Sequence, residues 1–252
     1  MWTSSELKER AKIALTGSYW KALAISLILS FAVGGSGGGS GFNSMTNVGS
    51  MSDQDMSTEA IIGIAILFLV IFSVISLFTL AIKIFIGFPL EAGGRKYFTL
   101  AAMAVNTKEQ VPFNVIGFGF KSNVYRSIIK TLFFRSLYIF LWTLCFIIPG
   151  IIRGYAYAMV PYLLSENPNL TTQRALELSK QMTDGEKMDM LILDLSFILW
   201  WLLGCVTCFI GFIFIAPYYN ATHAELYLVL KEKALEEGIA TQEDFEIKLQ
   251  TL

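Results

Sequence analysis

Residues 188–228 read Met188-Asp-Met-Leu-Ile-Leu-Asp194-Leu-Ser-Phe-Ile-Leu-Trp-Trp-Leu-Leu-Gly204-Cys-Val-Thr-Cys208-Phe-Ile-Gly211-Phe-Ile-Phe-Ile-Ala-Pro217-Tyr-Tyr-Asn220-Ala-Thr-His223-Ala-Glu225-Leu-Tyr-Leu228. The apolar part is too long for one upright membrane span of about 20 residues and short for two. Lys187 precedes it, and Lys231 and Lys233 follow it. Placing all three on the same side of a membrane requires an even number of crossings. The expectation is therefore a hairpin with its outer turn at Gly204 and residues 205–208. Asp194 and Glu225 would then return to one inner level.

The rest of the chain has the same character. Its 252 residues are 54% hydrophobic and only 15% charged, against about 25% charged in a typical globular protein. The charges cluster between long apolar runs, which is the pattern of a membrane protein. The net charge of -1 indicates no class of partner. Three Cys, all in apolar stretches, make no secreted-type disulfide framework.

Residues 3–19 read as an amphipathic helix on the membrane surface. Thr3-Ser-Ser-Glu6 has capping-box spacing, and Leu7, Ala11, Ala14 and Leu15 share a face opposite charged residues. Tyr19 and Trp20 suit the membrane interface. The short apolar run 22–33 is read as a first span, with a signal peptide as the competing reading because small residues follow it. Residues 34–41 form a Gly/Ser tract of flexible-linker composition, either natural or an engineered insert. Residues 61–90 are long enough to span with tilt, with Lys83 reaching headgroups from near the end.

Residues 42–59 contain no Lys or Arg, whereas 91–135 carry seven and the N-terminal segment Lys8, Arg10, Lys12 and Lys21. The positive-inside rule places the N-terminus and the 91–135 region in the cytoplasm. A third span covers 132–149 and stops at Pro149-Gly150; 151–165 is a short or broken return. Residues 171–182 form a second amphipathic helix, with Gly185 near its end as a C-cap. The tail from Lys231 is polar, and Thr241-x-x-Asp244 opens a last short helix.

The expected architecture is all-α, a polytopic transmembrane helix bundle of about six membrane segments with amphipathic surface helices. The segments lie near 21–33, 61–87, 132–149, 151–165, 188–204 and 206–228, within a membrane domain of residues 1–230. A cytoplasmic helical tail, 231–252, follows.

Several segments together resemble a bacterial family of integral membrane proteins, the domain-of-unknown-function family number 975. They are Glu6-Leu-Lys-Glu-Arg-Ala-Lys12 with Gly17-x-Tyr-Trp20, the Gly-rich loop, Pro89-Leu-Glu-x-Gly93, Ile148-Pro-Gly-Ile-Ile152 and Gly154-Tyr-Ala-Tyr157. Leu178-Ser-Lys-x-Met182, Gly185-x-Lys187, Leu193-Asp-Leu-Ser-Phe197 and Ala216-Pro-Tyr-Tyr219 complete the set. The resemblance implies a multi-pass α-helical protein with no assigned reaction. Its plan is similar to the membrane domain attached to some glycerophosphodiester phosphodiesterases, which implies neither catalysis nor a substrate here.

Candidate chemistry centres on carboxylates at membrane depth, which are costly and usually face a bundle interior. Asp194 lies about two helical turns beyond Lys187, near the cytoplasmic headgroups. His223 and Glu225 follow Pro217 and can line the same zone. Glu91 and Arg95, at i and i+4, are expected to pair. These five residues form the candidate cluster, read as structural or alternatively as a proton- or solute-binding site. Cys205-Val-Thr-Cys208 has C-x-x-C spacing without a thioredoxin-like context, so small residues packing a hairpin is the simpler reading. One His cannot build a His-rich metal shell, and no nucleophile set or phosphate loop stands out. No cofactor is implied. Aromatics interleaved with basic residues near 113–126 read as an interfacial segment, not a nucleic-acid site.

Two functions from different classes fit. One is a non-enzymatic protein of the cell membrane that organises lipids or assists a membrane protein partner or a second copy of itself. The other is a small-solute or ion transporter using Asp194, His223 and Glu225.

Overall fold

A computed structural model describes residues 2–16, 18–33, 58–104, 111–206 and 210–245. The Gly/Ser tract, most of the polar loop after it, and residues 207 and 208 of the expected outer turn lie outside these residues. All regular structure among them is helical, with no strand.

Helices α1 (Ser4–Leu15) and α2 (Tyr19–Val33) meet at a bend of 112°. Thr3 caps α1, its hydroxyl accepting the Glu6 N–H at 3.3 Å. Helix α3 (Thr58–Ile82) continues through a π-helical turn, Lys83–Gly87, into α4 (Phe88–Met103). The widened turn precedes Pro89, which offers the preceding turn no N–H. Inside that turn the Phe85 carbonyl instead accepts the Tyr125 hydroxyl at 3.0 Å. A 3-10 segment, Phe113–Phe120, packs across α4 and leads into α5 (Ser122–Cys145).

The chain turns at Phe146, and α6 (Ile147–Ala156) packs along α5. Helix α7 (Val160–Glu166) follows, then α8 (Thr172–Met182), capped by Thr171 at the Arg174 N–H. Gly185 has φ +79°, the left-handed conformation expected just past a helix end. Helices α9 (Lys187–Leu195), α10 (Ile198–Val206) and α11 (Ile210–Glu236) complete the opening stretch, and α12 (Gln242–Phe245) lies in the tail.

Contacts between α9–α10 and α11 fall at a nearly constant sum of residue numbers, the signature of antiparallel limbs. Asp194 meets His223, the Phe197 and Tyr219 rings are 5.3 Å apart, and so are those of Trp201 and Phe212. Gly204 lets the limbs approach closely, because a Cβ there would lie 2.5 Å from the Phe212 ring.

Two halves of the molecule treat water oppositely. Large apolar side chains are exposed along α3, the distal part of α5, α6, α9–α10 and the start of α11. The other half buries Leu7, Ile25, Tyr97, Phe98, Leu163, Leu178 and Tyr227 in a conventional core. Contiguous apolar surface on this scale marks a face that meets lipid or protein.

Among the described residues three helical stretches are long and apolar enough to cross a membrane: Ile62–Met103, Ser122–Cys145 and Ile147–Glu166. The bent pair α1–α2 raises the number to four. The expected six segments are more than this because several are short or interrupted. Helix α2 has 15 residues, and α9 and α10 have 9 each, separated by a turn at Ser196-Phe197; a span needs about 20.

The two amphipathic helices differ from expectation in what covers them. The apolar face of α1 (Leu7, Ala11 and Leu15) is buried in the protein core, where α1 packs on α11. Ala175, Leu178 and Met182 of α8 are buried in the same way. An apolar stripe identifies a face that leaves water, without saying whether lipid or protein receives it.

The tail is docked rather than wholly solvated. Arg174 of α8 holds Asp244 through Nε at 3.1 Å and Nη2 at 2.8 Å, and Phe245 is buried beneath Lys231. The hydrogen bonds from Arg174 keep the Asp244 carboxyl below its ordinary value. A depressed carboxylate contributes stability above its unfolded pKa of about 4 and loses it as pH falls through the folded value. Acidification below about pH 4 is expected to release residues 239–245, read as a loss of amide-exchange protection there relative to the intrinsic rate at each pH. Asp244→Asn should produce the same release at neutral pH, at a cost of about 1 kcal/mol or less.

Candidate functional site

The five candidate residues lie in a layer of polar side chains that crosses the bundle, and they divide among several partners. Asp194, at the end of α9, accepts three hydrogen bonds. Tyr155 of α6 donates to Oδ2 at 2.8 Å, and Tyr219 of α11 donates to Oδ1 at 3.1 Å. His223 Nε2 lies 2.9 Å from the same Oδ1, and its ring packs on Tyr219 at 4.3 Å. One carboxylate thus ties α6, α9 and α11 together.

Glu225 is two positions from His223 and faces elsewhere. Its buried carboxylate pairs with Arg10 of α1 at 3.1 Å. Two residues rotate a helix by about 200°, so neighbours in sequence serve different helices. Asp194 and His223 meet as the hairpin requires, whereas Glu225 secures the N-terminal helix.

Glu91 and Arg95 do not form the expected i,i+4 pair. Glu91 accepts from Arg135 of α5 at 3.3 Å, and Arg135 Nε also donates to the Tyr157 carbonyl at 2.9 Å. Arg95 Nη1 donates to the Tyr162 hydroxyl at 3.1 Å and to Asn220 Oδ1 at 3.0 Å. Its guanidinium carbon stands 5.1 Å from the Tyr162 ring centre, and Asn220 Nδ2 passes a hydrogen bond to Ser26 at 3.1 Å. Arg95 Nε is buried without a hydrogen-bond partner. A partner on another helix overrode the local pair, which is worth only about 0.2–0.5 kcal/mol on an isolated helix.

Sequence reasoning missed Tyr155, Tyr162, Tyr227, Glu166 and Arg135 as members of this layer. Tyr227 stacks on Tyr162 at 5.1 Å and donates to Glu166 at 2.7 Å, and Lys231 reaches the same carboxylate at 2.8 Å. One signal was available: Tyr219, His223 and Tyr227 recur every four residues, so they share a helical face. Glu186 closes the layer near the chain start, accepting from Trp2 Nε1 at 3.0 Å and from Lys233. Among the described residues no group of three or more His, Cys, Asp or Glu side chains could hold a metal ion. The Cys205 and Cys208 side chains fall outside the described residues.

This geometry defines an all-helical protein with several helices fit to cross a membrane, held at one end by a cross-linked polar layer. The family model described as a protein of unknown function (DUF975) matches residues 144–234. That stretch, which runs from the end of α5 through most of α11, is similar to this family. The match includes Asp194, His223 and Glu225, while Glu91 and Arg95 lie upstream of it. No curated protein and no solved structure matches the chain.

Proposed function

We propose that this chain is a non-enzymatic protein of the cell membrane that organises lipids around itself. The observation that carries the reading is the pairing of the candidate carboxylates. Asp194 is matched by Tyr155, Tyr219 and His223, Glu225 by Arg10, and Glu91 by Arg135. Carboxylates matched in this way hold helices together; a carrier site keeps ligand-facing groups turned to a water-filled path. The broad apolar face supplies the lipid-contacting surface.

In this reading the short apolar helices join the three long ones to give about six membrane segments, and both termini are cytoplasmic. Trp2 and Lys233 meet at Glu186, which supports a shared side for the two ends. Labelling a Glu237→Cys variant in cells, on a cysteine-free background, tests the orientation. Reaction with an impermeant reagent from outside would overturn it.

The principal test is mass spectrometry of lipids and proteins retained after purification in native nanodiscs. A reproducible set of lipids, enriched over the bulk membrane, is expected. Retention of lipids in bulk proportions would defeat the reading.

Asp194→Asn separates it from the transporter alternative. Proteoliposome flux of small ions should be the same for the variant and the wild type. The variant's unfolding midpoint should fall, because losing the charge from three hydrogen bonds costs about 1–2 kcal/mol. Ion flux in the wild type that disappears in the variant would favour the transporter.

A further inference from the structure

We propose that the groove between α5 and α8 binds the headgroup of a zwitterionic phospholipid, with Lys180 taking the phosphate and Glu177 the ammonium. The proposal rests on the lipid-organising reading and gives it a site and a lipid class.

The groove is a cavity of about 610 Å³. Phe134 and Tyr138 of α5, with Tyr157, form one wall, and Gln173, Glu177 and Lys180 of α8 form the other. Its frame is tied at several points. The Thr131 and Thr172 hydroxyls share a hydrogen bond at 3.0 Å, and Ser179 donates to the Ala156 carbonyl at 2.8 Å. Arg135 fixes the Tyr157 carbonyl from behind. These bonds fix the frame of the groove, while the exposed Glu177 and Lys180 side chains become ordered only on binding.

The walls differ in chemistry, and the difference points to an amphiphile. Past Tyr138, α5 continues with exposed Phe140, Leu141 and Leu144, part of the apolar face assigned to lipid. Tyrosine is suited to the level where acyl chain gives way to headgroup. The opposite wall is mixed: Gln173, Glu177 and Lys180 supply polar groups at the headgroup level, with Leu176 between them. A ligand seated here keeps its chains against α5 and its polar end against α8.

The charges select the headgroup. Glu177 and Lys180 are three residues apart on one helix, where Cβ atoms lie about 5–6 Å from each other. Opposite charges at this spacing can close a pair, as Asp184 and Lys187 do at 2.8 Å. Glu177 and Lys180 both line the cavity and make no direct ion pair with each other or with any described residue, although Arg174 lies in the field of Glu177 and Asp184 in that of Lys180. A headgroup carrying one phosphate and one ammonium satisfies both. A purely anionic headgroup would place its charge beside Glu177 with nothing to offer that carboxylate. The ring of Tyr138 or Tyr157 gives the ammonium a second favourable surface.

Native mass spectrometry of the full-length protein in detergent tests this directly, using phosphatidylethanolamine, phosphatidylcholine and phosphatidylglycerol with identical chains. Phosphatidylethanolamine is expected to bind tightest, because its ammonium keeps N–H groups for Glu177. Glu177→Gln should weaken it about tenfold, equivalent to one charge-assisted hydrogen bond, and should tighten phosphatidylglycerol, whose phosphate then no longer lies beside a carboxylate. Lys180→Gln should weaken all three lipids, and Lys12→Gln on α1 should change nothing. No preference for phosphatidylethanolamine, or unchanged binding in both α8 variants, would overturn the site. If the nanodisc experiment still showed enriched lipids, the lipid-organising reading would survive that failure. Bulk-like lipids in the wild type would remove both.

Discussion

Glu91→Ala should lower the stability of the folded protein by about 3 kcal/mol, among the largest effects expected of any single side chain here. The loss comes from what remains. Arg135 is mostly buried, and without Glu91 its charge has only the Tyr157 carbonyl for company. Removing one member of a buried pair exceeds the net worth of the pair, because the survivor keeps its desolvation cost. Glu91→Leu combined with Arg135→Met should therefore recover most of the loss, leaving about 1 kcal/mol for the unpaired Tyr157 carbonyl. Denaturant unfolding in detergent measures both proteins. Equal stability of Glu91→Ala and the wild type would show that the pair holds nothing together.

Gly93→Ala is expected to be equally severe for a different reason. A Cβ at Gly93 would lie 2.0 Å from the Ile116 carbonyl oxygen, so the new atom meets backbone that cannot rotate away. Helix α4 and the 3-10 segment would have to separate by more than 1 Å, with a cost of about 3 kcal/mol. Gly119→Ala makes the reciprocal test, since its Cβ would stand 2.2 Å from the Pro89 carbonyl oxygen. Gly117→Ala is the control: the same segment offers open space there, and stability should stay within about 0.5 kcal/mol. Loss of stability in all three would mean that glycine flexibility, not close approach, explains the segment. These contacts give a physical reason for glycine in Pro89-Leu-Glu-x-Gly93, a segment that carries part of the family resemblance.

The sequence was most informative where a property is local. Thr3 caps the helix it precedes, and Gly185, read as a C-cap, takes a positive φ. The antiparallel limbs of 188–228 follow from an apolar run with polar ends and a small-residue middle. The number of membrane segments was less legible. Counting apolar runs does not register where a helix breaks, and the turn at Ser196-Phe197 divides what reads as one continuous span. The destination of the α1 apolar face was hidden for the same kind of reason. Leu7, Ala11 and Leu15 would read identically against lipid and against α11.

An all-helical, membrane-type chain whose residues 188–228 double back is legible in the sequence, although the level expected for Asp194 and Glu225 brings Asp194 to His223 instead. Hydropathy, charge placement and capping are set by residues within a few turns of one another, so they survive without a structure. Which polar groups join depends on how the helices pack. Each step along a helix turns a side chain by about 100°, and the choice between partners rests on which helices lie alongside. That is why Glu91 takes Arg135 instead of Arg95, and why Glu225, two residues beyond His223, reaches Arg10 instead of Asp194.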